Sequence, residues 1–280
     1  MKKRSKKTWL CAPLYLWCIL FVGLPLVYVL GVSFCTRDAT WGITAVFTLE
    51  NYRMIVDPMY LRVFTESLLL SAVCTVIALL IGYPFAYAMV KASPARQALL
   101  MMLVIVPFWT SALIRANGWM LILRANGPIN SALKALGVIQ RPLKLLYTRG
   151  AVMLGYVYTM LPFTILPCYT ALARMDFSLV AAARDLGARP LRVFFTITLP
   201  LTMGGVMSAV TLTLIPSLGI FFLSDLLGGG KTVLIGNLIQ NQLLTARNTP
   251  FGAALSVVLL LLTALVMWVQ RKMGGETRIL

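Results

Sequence analysis

Six long apolar stretches decide most of what this 280-residue chain can fold into. A bilayer core about 30 Å thick needs about 20 apolar residues at about 1.5 Å rise each. Stretches of that kind lie near Trp9–Phe34, Ser67–Val90, Ala98–Ile114, Ala151–Leu172, Leu199–Leu223 and Phe251–Val269. In lipid each backbone polar group must be bonded inside its own segment, so the runs read as helices. The expected fold class is an all-α, polytopic membrane protein of about six spans, forming a single transmembrane domain over residues 1–280. The third run is short and carries Pro107. A proline there suggests a kink packed against other helices.

Composition enters through what must cover the surface. Hydrophobic residues make up 60% of the chain and charged ones only 12%, about half the usual charged share of soluble domains. Such a chain lacks the polar surface to sheathe an apolar core, so lipid is the expected covering. The net charge of +17 is not a nucleic-acid footprint, because Lys and Arg sit in the gaps between apolar runs and so act as orientation signals. Met1–Lys7 carries five basic residues before an apolar run too long for a signal-peptide core. It reads as a retained first helix.

With the N-terminus inside, the inner loops hold 14 basic and 3 acidic residues, and the outer loops 11 and 5. Six of the outer basic residues fall in the long segment Arg115–Arg149, most of it beyond the flanks that set orientation. Both termini are therefore expected in the cytoplasm. Asn117–Arg149 is expected to form short interfacial helices and turns outside. Within it Arg115-Ala-Asn-Gly118 recurs as Arg124-Ala-Asn-Gly127, which turn chemistry explains.

Several chemistries have nothing to work with. There are no histidines, which removes imidazole acid–base catalysis and most zinc sites. Cys11, Cys18, Cys35, Cys74 and Cys168 form no CxxC pair and read as small hydrophobes. No disulfide framework, metal site or resident cofactor is expected. Gly228-Gly-Gly-Lys-Thr232 lacks the first glycine of a P-loop, whose place is taken by Asp225. It reads as a flexible turn before the last helix, so any ATP hydrolysis belongs to another chain.

The informative loop lies near residues 173–198. Ser178 is placed to cap a helix. Leu179, Ala182, Ala183 and Leu186 follow on one face, and Gly187 stands where a left-handed helix end wants glycine. Pro190 can open a second short helix. The narrow apolar face suits docking of a cytoplasmic partner. It equally suits a loop helix packed on its own protein or lying in the membrane interface.

This stretch resembles the EAA loop of ABC-importer permeases, whose pattern is E-A-A, three residues, Gly, nine residues, Ile, one residue, Leu-Pro. Ala182-Ala183, Gly187, Ile197 and Leu199-Pro200 match it without gaps. The resemblance implies a coupling loop that docks onto an ATPase subunit, with Ser178, Ala182, Ala183, Asp185, Leu186 and Gly187 at the contact. The pattern's glutamate falls at Ala181. A Glu there would complete a capping box with Ser178, so the helix start is expected to be weaker by ~0.5–1 kcal/mol.

The likeness extends from about Trp9 to Gln270. Phe47–Tyr52, Val106–Thr110, Ser224–Gly229, Leu234–Asn237, Pro250–Ala254 and Trp268 are similar to text in permeases of spermidine/putrescine importers. The resemblance implies half of a translocation pathway in a bacterial inner membrane. It also implies a second homologous permease, ATPase subunits binding ATP and Mg, and an extracytoplasmic substrate-binding protein. A permease for an inorganic anion, iron or thiamine would share the EAA loop. A stand-alone secondary carrier is the more distant alternative.

A polyamine path calls for carboxylates and aromatic faces, since ammonium groups gain from ion pairs and cation–π contacts. Asp225, Glu66 and Trp109 are the candidates, charged groups at membrane depth being functional by default, although the two carboxylates equally suit span boundaries in water, and Trp109 suits core packing or an interfacial belt. Arg115 would repel a polycation and is expected to snorkel or pair.

Overall fold

The computed structural model describes residues 12–38 and 42–273. The basic cluster Met1–Lys7, Cys11, the start of the first span at Trp9 and the C-terminal residues 274–280 lie outside the described residues. The described residues are mostly helical, with a short hairpin of two-residue strands, β1 (Thr36–Arg37) against β2 (Ile43–Thr44).

In chain order, α1 (Ala12–Cys18) runs through a π turn, Ile19–Gly23, into α2 (Leu24–Ser33). After the hairpin come α3 (Glu50–Ile55), α4 (Pro58–Lys91) and α5 (Pro94–Ile105). A 3-10 turn, Val106–Trp109, leads to α6 (Ala112–Leu123) and α7 (Pro128–Ala135). Then follow α8 (Arg149–Ala173), α9 (Ser178–Asp185), α10 (Pro190–Val193), a π segment Phe194–Thr198, and α11 (Leu199–Leu201). The chain ends with α12 (Met203–Gly219), α13 (Phe222–Gly228), α14 (Ile235–Gln240), a π turn Asn241–Thr245, and α15 (Thr249–Met273).

Among the described residues, four helical stretches are long and apolar enough to cross a membrane: Pro13–Ser33, α4, α8 and Thr249–Lys272. The count rises to six if each of two bent pairs is one span. The expected third and fifth spans are these bent pairs, and neither is a straight helix. Pro94–Trp109 and Ala112–Ala135 meet at 98°. The cause is local: Pro107 tightens the chain into a 3-10 turn, and Thr110 and Ser111 are then extended. Thr110 Oγ1 donates to the Pro107 carbonyl at 2.8 Å, which also accepts from Thr110 N at 3.3 Å. Pro190–Leu201 and Met203–Gly219 meet at 70°. Here Thr202 leaves helical geometry, its hydroxyl donating to Thr198 O at 2.8 Å and pairing with the Tyr83 hydroxyl at 2.7 Å.

A third interruption separates α12 from α13. Ile220 is extended, which strands carbonyls that lipid cannot satisfy. Tyr156 donates its hydroxyl to Ile220 O. Asn237 Nδ2 donates to Phe221 O at 3.0 Å, which also accepts from Asp225 N at 3.2 Å. Gly236 lies against the break, where a Cβ would meet Gly219 O at 2.7 Å.

The Asn117–Arg149 segment departs from expectation at its start. α6 continues through Arg115–Gly118, whereas Arg124–Gly127 is a turn. Identical tetrapeptides thus take two conformations. The second is followed by Pro128, which opens α7 at its first turn. Asn130 pins that turn from beneath, bonding Arg124 O at 3.1 Å and Leu143 N and O at 2.8 and 3.0 Å.

The described residues fall into two compact units. One comprises residues up to Arg62 with Leu238–Leu262. Inside it Asn51 closes the end of α2, donating to Ser33 O at 3.0 Å and Cys35 O at 2.9 Å. Phe34 stacks on Phe47 at 5.4 Å. The other unit comprises Val63–Asn237 with residues from Thr263 onward, and it contains the candidate site. Its core has two apolar clusters, one around Tyr156, Val152 and Leu227, the other around Met89, Cys168 and Ala209. Small residues let its helices close up. A Cβ on Gly205 of α12 would lie 2.4 Å from Ala171 Cβ and 2.8 Å from Pro167 O on α8. One on Gly82 of α4 would lie 3.1 Å from Thr164 Cγ2.

Candidate functional site

The loop joining α8 to α12 forms the expected two helices at an elbow. α9 begins with a different cap from the one its sequence suggests. Asp176 accepts from Ser178 N at 2.9 Å, and the Ser178 hydroxyl also bonds to it. These bonds hold the Asp176 carboxyl below its ordinary range. Ser178 is the first helical residue and not the cap, so the reciprocal half-box expected at Ala181 has no partner geometry to complete. Asp176 supplies the local acceptor, and a carboxylate is also the better neighbour for the positive helix end.

The other end of α9 follows the sequence closely. Gly187 takes φ +79°. Its N–H donates to Arg184 O at 2.8 Å, and Ala188 N–H to Ala183 O at 3.1 Å. That pair of bonds is a Schellman turn. Nothing lies within 4 Å of a Cβ built on Gly187, so conformation and not space demands glycine. Pro190 opens α10 at its first turn after an extended Arg189.

The apolar stripe of α9 does not pack uniformly. Val180 is buried and Ala183 half-buried, whereas Ala182 is exposed, Leu179 is 47% exposed and Leu186 is 88% exposed. Asp185 and Ser178 are exposed beside them. Covering one such leucine would contribute about 1.5–3 kcal/mol. A groove of about 390 Å³, lined by Ala171, Arg174, Leu179, Leu201 and Gly204, runs beside the helix.

Three residues outside the expected set, Phe177, Tyr87 and Lys91, tie this loop to α4. Phe177, just before α9, meets Tyr87 edge-on at 6.1 Å. The Lys91 ammonium lies 4.6 Å from the Tyr87 ring centre and 5.7 Å from that of Phe177. Their sequence signal, an aromatic beside the cap, is too common to have singled them out.

The three path candidates have separate neighbourhoods. Asp225 on α13 is exposed and receives Asn237 Nδ2 at 2.6 Å. Asn237 is buried, and its Oδ1 accepts from Ser224 Oγ at 2.5 Å and Leu234 N at 3.2 Å. Glu66 on α4 pairs with Arg149 at 3.3 Å. Its neighbour Ser67 is buried and accepts from Ile235 N at 2.9 Å. The turn Leu234–Asn237 is therefore bonded both to Asp225 and to the residue after Glu66. Trp109, at the α5–α6 bend, is 84% exposed. Gly229, with φ +60°, caps α13, so the glycine-rich Gly228–Thr232 is a helix-ending turn that leads into α14.

Arg115 lies against aromatic rings. Its guanidinium carbon lies 5.4 Å from the Phe108 ring centre and 5.9 Å from that of Tyr158, and its buried Nε has no hydrogen-bond partner. Two cation–π contacts of ~0.5–2 kcal/mol each stand against a buried unpaired donor that costs about 1–3 kcal/mol. The pose is close to balance.

Residues 3–275 match the family described as binding-protein-dependent transport system inner membrane component. The chain belongs to this family. It is 45% identical over 258 residues to the spermidine/putrescine transport system permease protein PotB of Haemophilus influenzae, covering 92% of this chain and 90% of that one. The PotB protein of Escherichia coli is 43% identical over 253 residues, covering 90% and 92%. The inner membrane ABC transporter permease protein YdcU of Escherichia coli is 29% identical over 279 residues, covering 95% and 88%. Among solved structures, a chain of a bacterial alginate ABC transporter, in complex with an alginate-bound periplasmic protein, superposes with a TM-score of 0.78. It is 16% identical and covers 97% of this chain and 96% of that one. The MetNI methionine ABC transporter gives 0.58 at 18% identity, over 78% and 97%. The fold is thus that of an ABC-importer permease, and the spermidine/putrescine-type likeness read from the sequence runs through about nine-tenths of the chain.

Proposed function

We propose that this permease carries spermidine or putrescine inward and forms half of the translocation pathway. A second homologous permease supplies the other half, and an extracytoplasmic binding protein delivers the substrate. ATP and Mg are bound and turned over on separate ATPase subunits. The polyamine assignment is supported by the 43–45% identity to PotB proteins over at least nine-tenths of the chain.

The observation that carries the coupling role is the gapless loop pattern on a helix whose Leu179–Ala182–Leu186 stripe faces outward. In this reading the stripe enters an ATPase groove, with Ser178, Ala183 and Asp185 around it. The Gly187 turn sets the angle to α10. Movement of α9 passes to α4 through Phe177 and Tyr87, and to α12 through the Thr202 elbow. Six crossings would put both termini and this loop on one side, here the cytoplasmic side. Asp225, Glu66 and Trp109 serve the substrate path. Asp225 is the strongest of the three, as an exposed carboxylate held in place by a buried amide.

Replacing Gly187 with valine tests the coupling role. A β-branched residue at φ +79° forces the helix end to rearrange. Polyamine uptake should be lost while capture by the binding protein is kept. Uptake at the wild-type rate in that variant would refute the role of the loop.

A further inference from the structure

The bend between α5 and α6 holds a cation on aromatic faces. Phe108 and Tyr158 flank the Arg115 guanidinium at 5.4 and 5.9 Å. Each ring is braced edge-on by another, Phe108 by Phe163 at 5.0 Å and Tyr158 by Trp119 at 5.4 Å. The four rings come from the 3-10 turn, α6 and α8, which frame the bend. The cation is tethered by a flexible side chain, and its Nε is sealed from solvent without a partner.

Aromatic faces recognise an ammonium through its charge and need no hydrogen bond from it. We propose that Phe108, Tyr158, Phe163 and Trp119 form a binding site for an alkylammonium group of the transported substrate, with Arg115 as the tethered cation that fills it when substrate is absent. The inference rests on the polyamine reading above. An arriving ammonium takes the ring faces and Arg115 swings out, where its Nε regains water. The site keeps one positive charge before and after the exchange. Arg115 then acts as a displaceable occupant and not as a barrier to a polycation.

The test uses the complete complex in detergent, with tetramethylammonium as probe and sodium at equal ionic strength as control. In Arg115→Gln the probe should raise the unfolding midpoint by about 2 °C, and putrescine should do the same. The shift should vanish when Phe108→Leu and Tyr158→Leu are added. No greater shift in Arg115→Gln than in the triple variant overturns the site. A response to tetramethylammonium without one to putrescine overturns its assignment to substrate. A second measurement uses the wild-type complex, so it stands even if Arg115→Gln fails to assemble. Labelling of Arg115 by phenylglyoxal, read by mass spectrometry, should speed up several-fold with tetramethylammonium and not with sodium. An unchanged rate overturns the displacement. Neither readout involves uptake, so a complex that fails to transport polyamine sinks the substrate reading separately.

Discussion

At the scale of single residues, helix ends in the coupling loop show how far local chemistry can be read. Gly187 was legible because a left-handed helix end has few solutions other than glycine. The cap at the other end was not, because Asp176 and Ser178 are both good acceptors and only geometry chooses between them. Asp176 wins by reaching Ser178 N across two residues. Its carboxyl is held below its ordinary range, so its contribution to the helix start is fully present above the usual carboxylate range. That contribution disappears as pH falls through the lowered value. Asp176→Ala should speed amide hydrogen exchange over residues 178–181 at neutral pH, and Asp176→Asn, which keeps an acceptor, should do so less. Equal exchange in wild type and Asp176→Ala would show that the cap carries no weight.

At the scale of elements, the apolar runs marked where helices lie but not where they break. Proline was an incomplete guide. Pro84, Pro162 and Pro167 lie inside continuous helices, while Pro107 marks a 98° bend. What decides is whether the carbonyls at a break find donors, and at the α12–α13 break those donors are remote in sequence. Tyr156 and Asn237 serve the α12–α13 break from other helices, and no local pattern announces them. Close packing is similarly non-local. Gly205 looks like an ordinary span glycine until Ala171 and Pro167 are found against it. Gly205→Ala should destabilise the complex by about 1–3 kcal/mol through overpacking, read as a lower unfolding midpoint. Gly31→Ala, where a Cβ meets nothing within 4 Å, should cause no loss. Equal midpoints for both would contradict the packing of α12 on α8.

At the scale of the whole molecule, the family could be read from one loop because that loop meets two demands at once. It forms a two-helix elbow, and in the proposed function it presents an apolar stripe to an ATPase. Few spacings satisfy both, so the pattern is specific. The substrate path offered no such signal, since isolated carboxylates and aromatics near span ends serve many purposes. Its candidates became distinguishable only when Asn237 was found fixing Asp225 and Arg149 found pairing with Glu66.

The most direct measurement of the central claim is ATP hydrolysis by this chain assembled in lipid with its second permease, ATPase subunits and binding protein. Addition of spermidine or putrescine should stimulate hydrolysis in the presence of the binding protein. Assembly with unchanged hydrolysis on adding either polyamine would contradict the proposed substrate, and failure to assemble with an ATPase would contradict the coupling role itself.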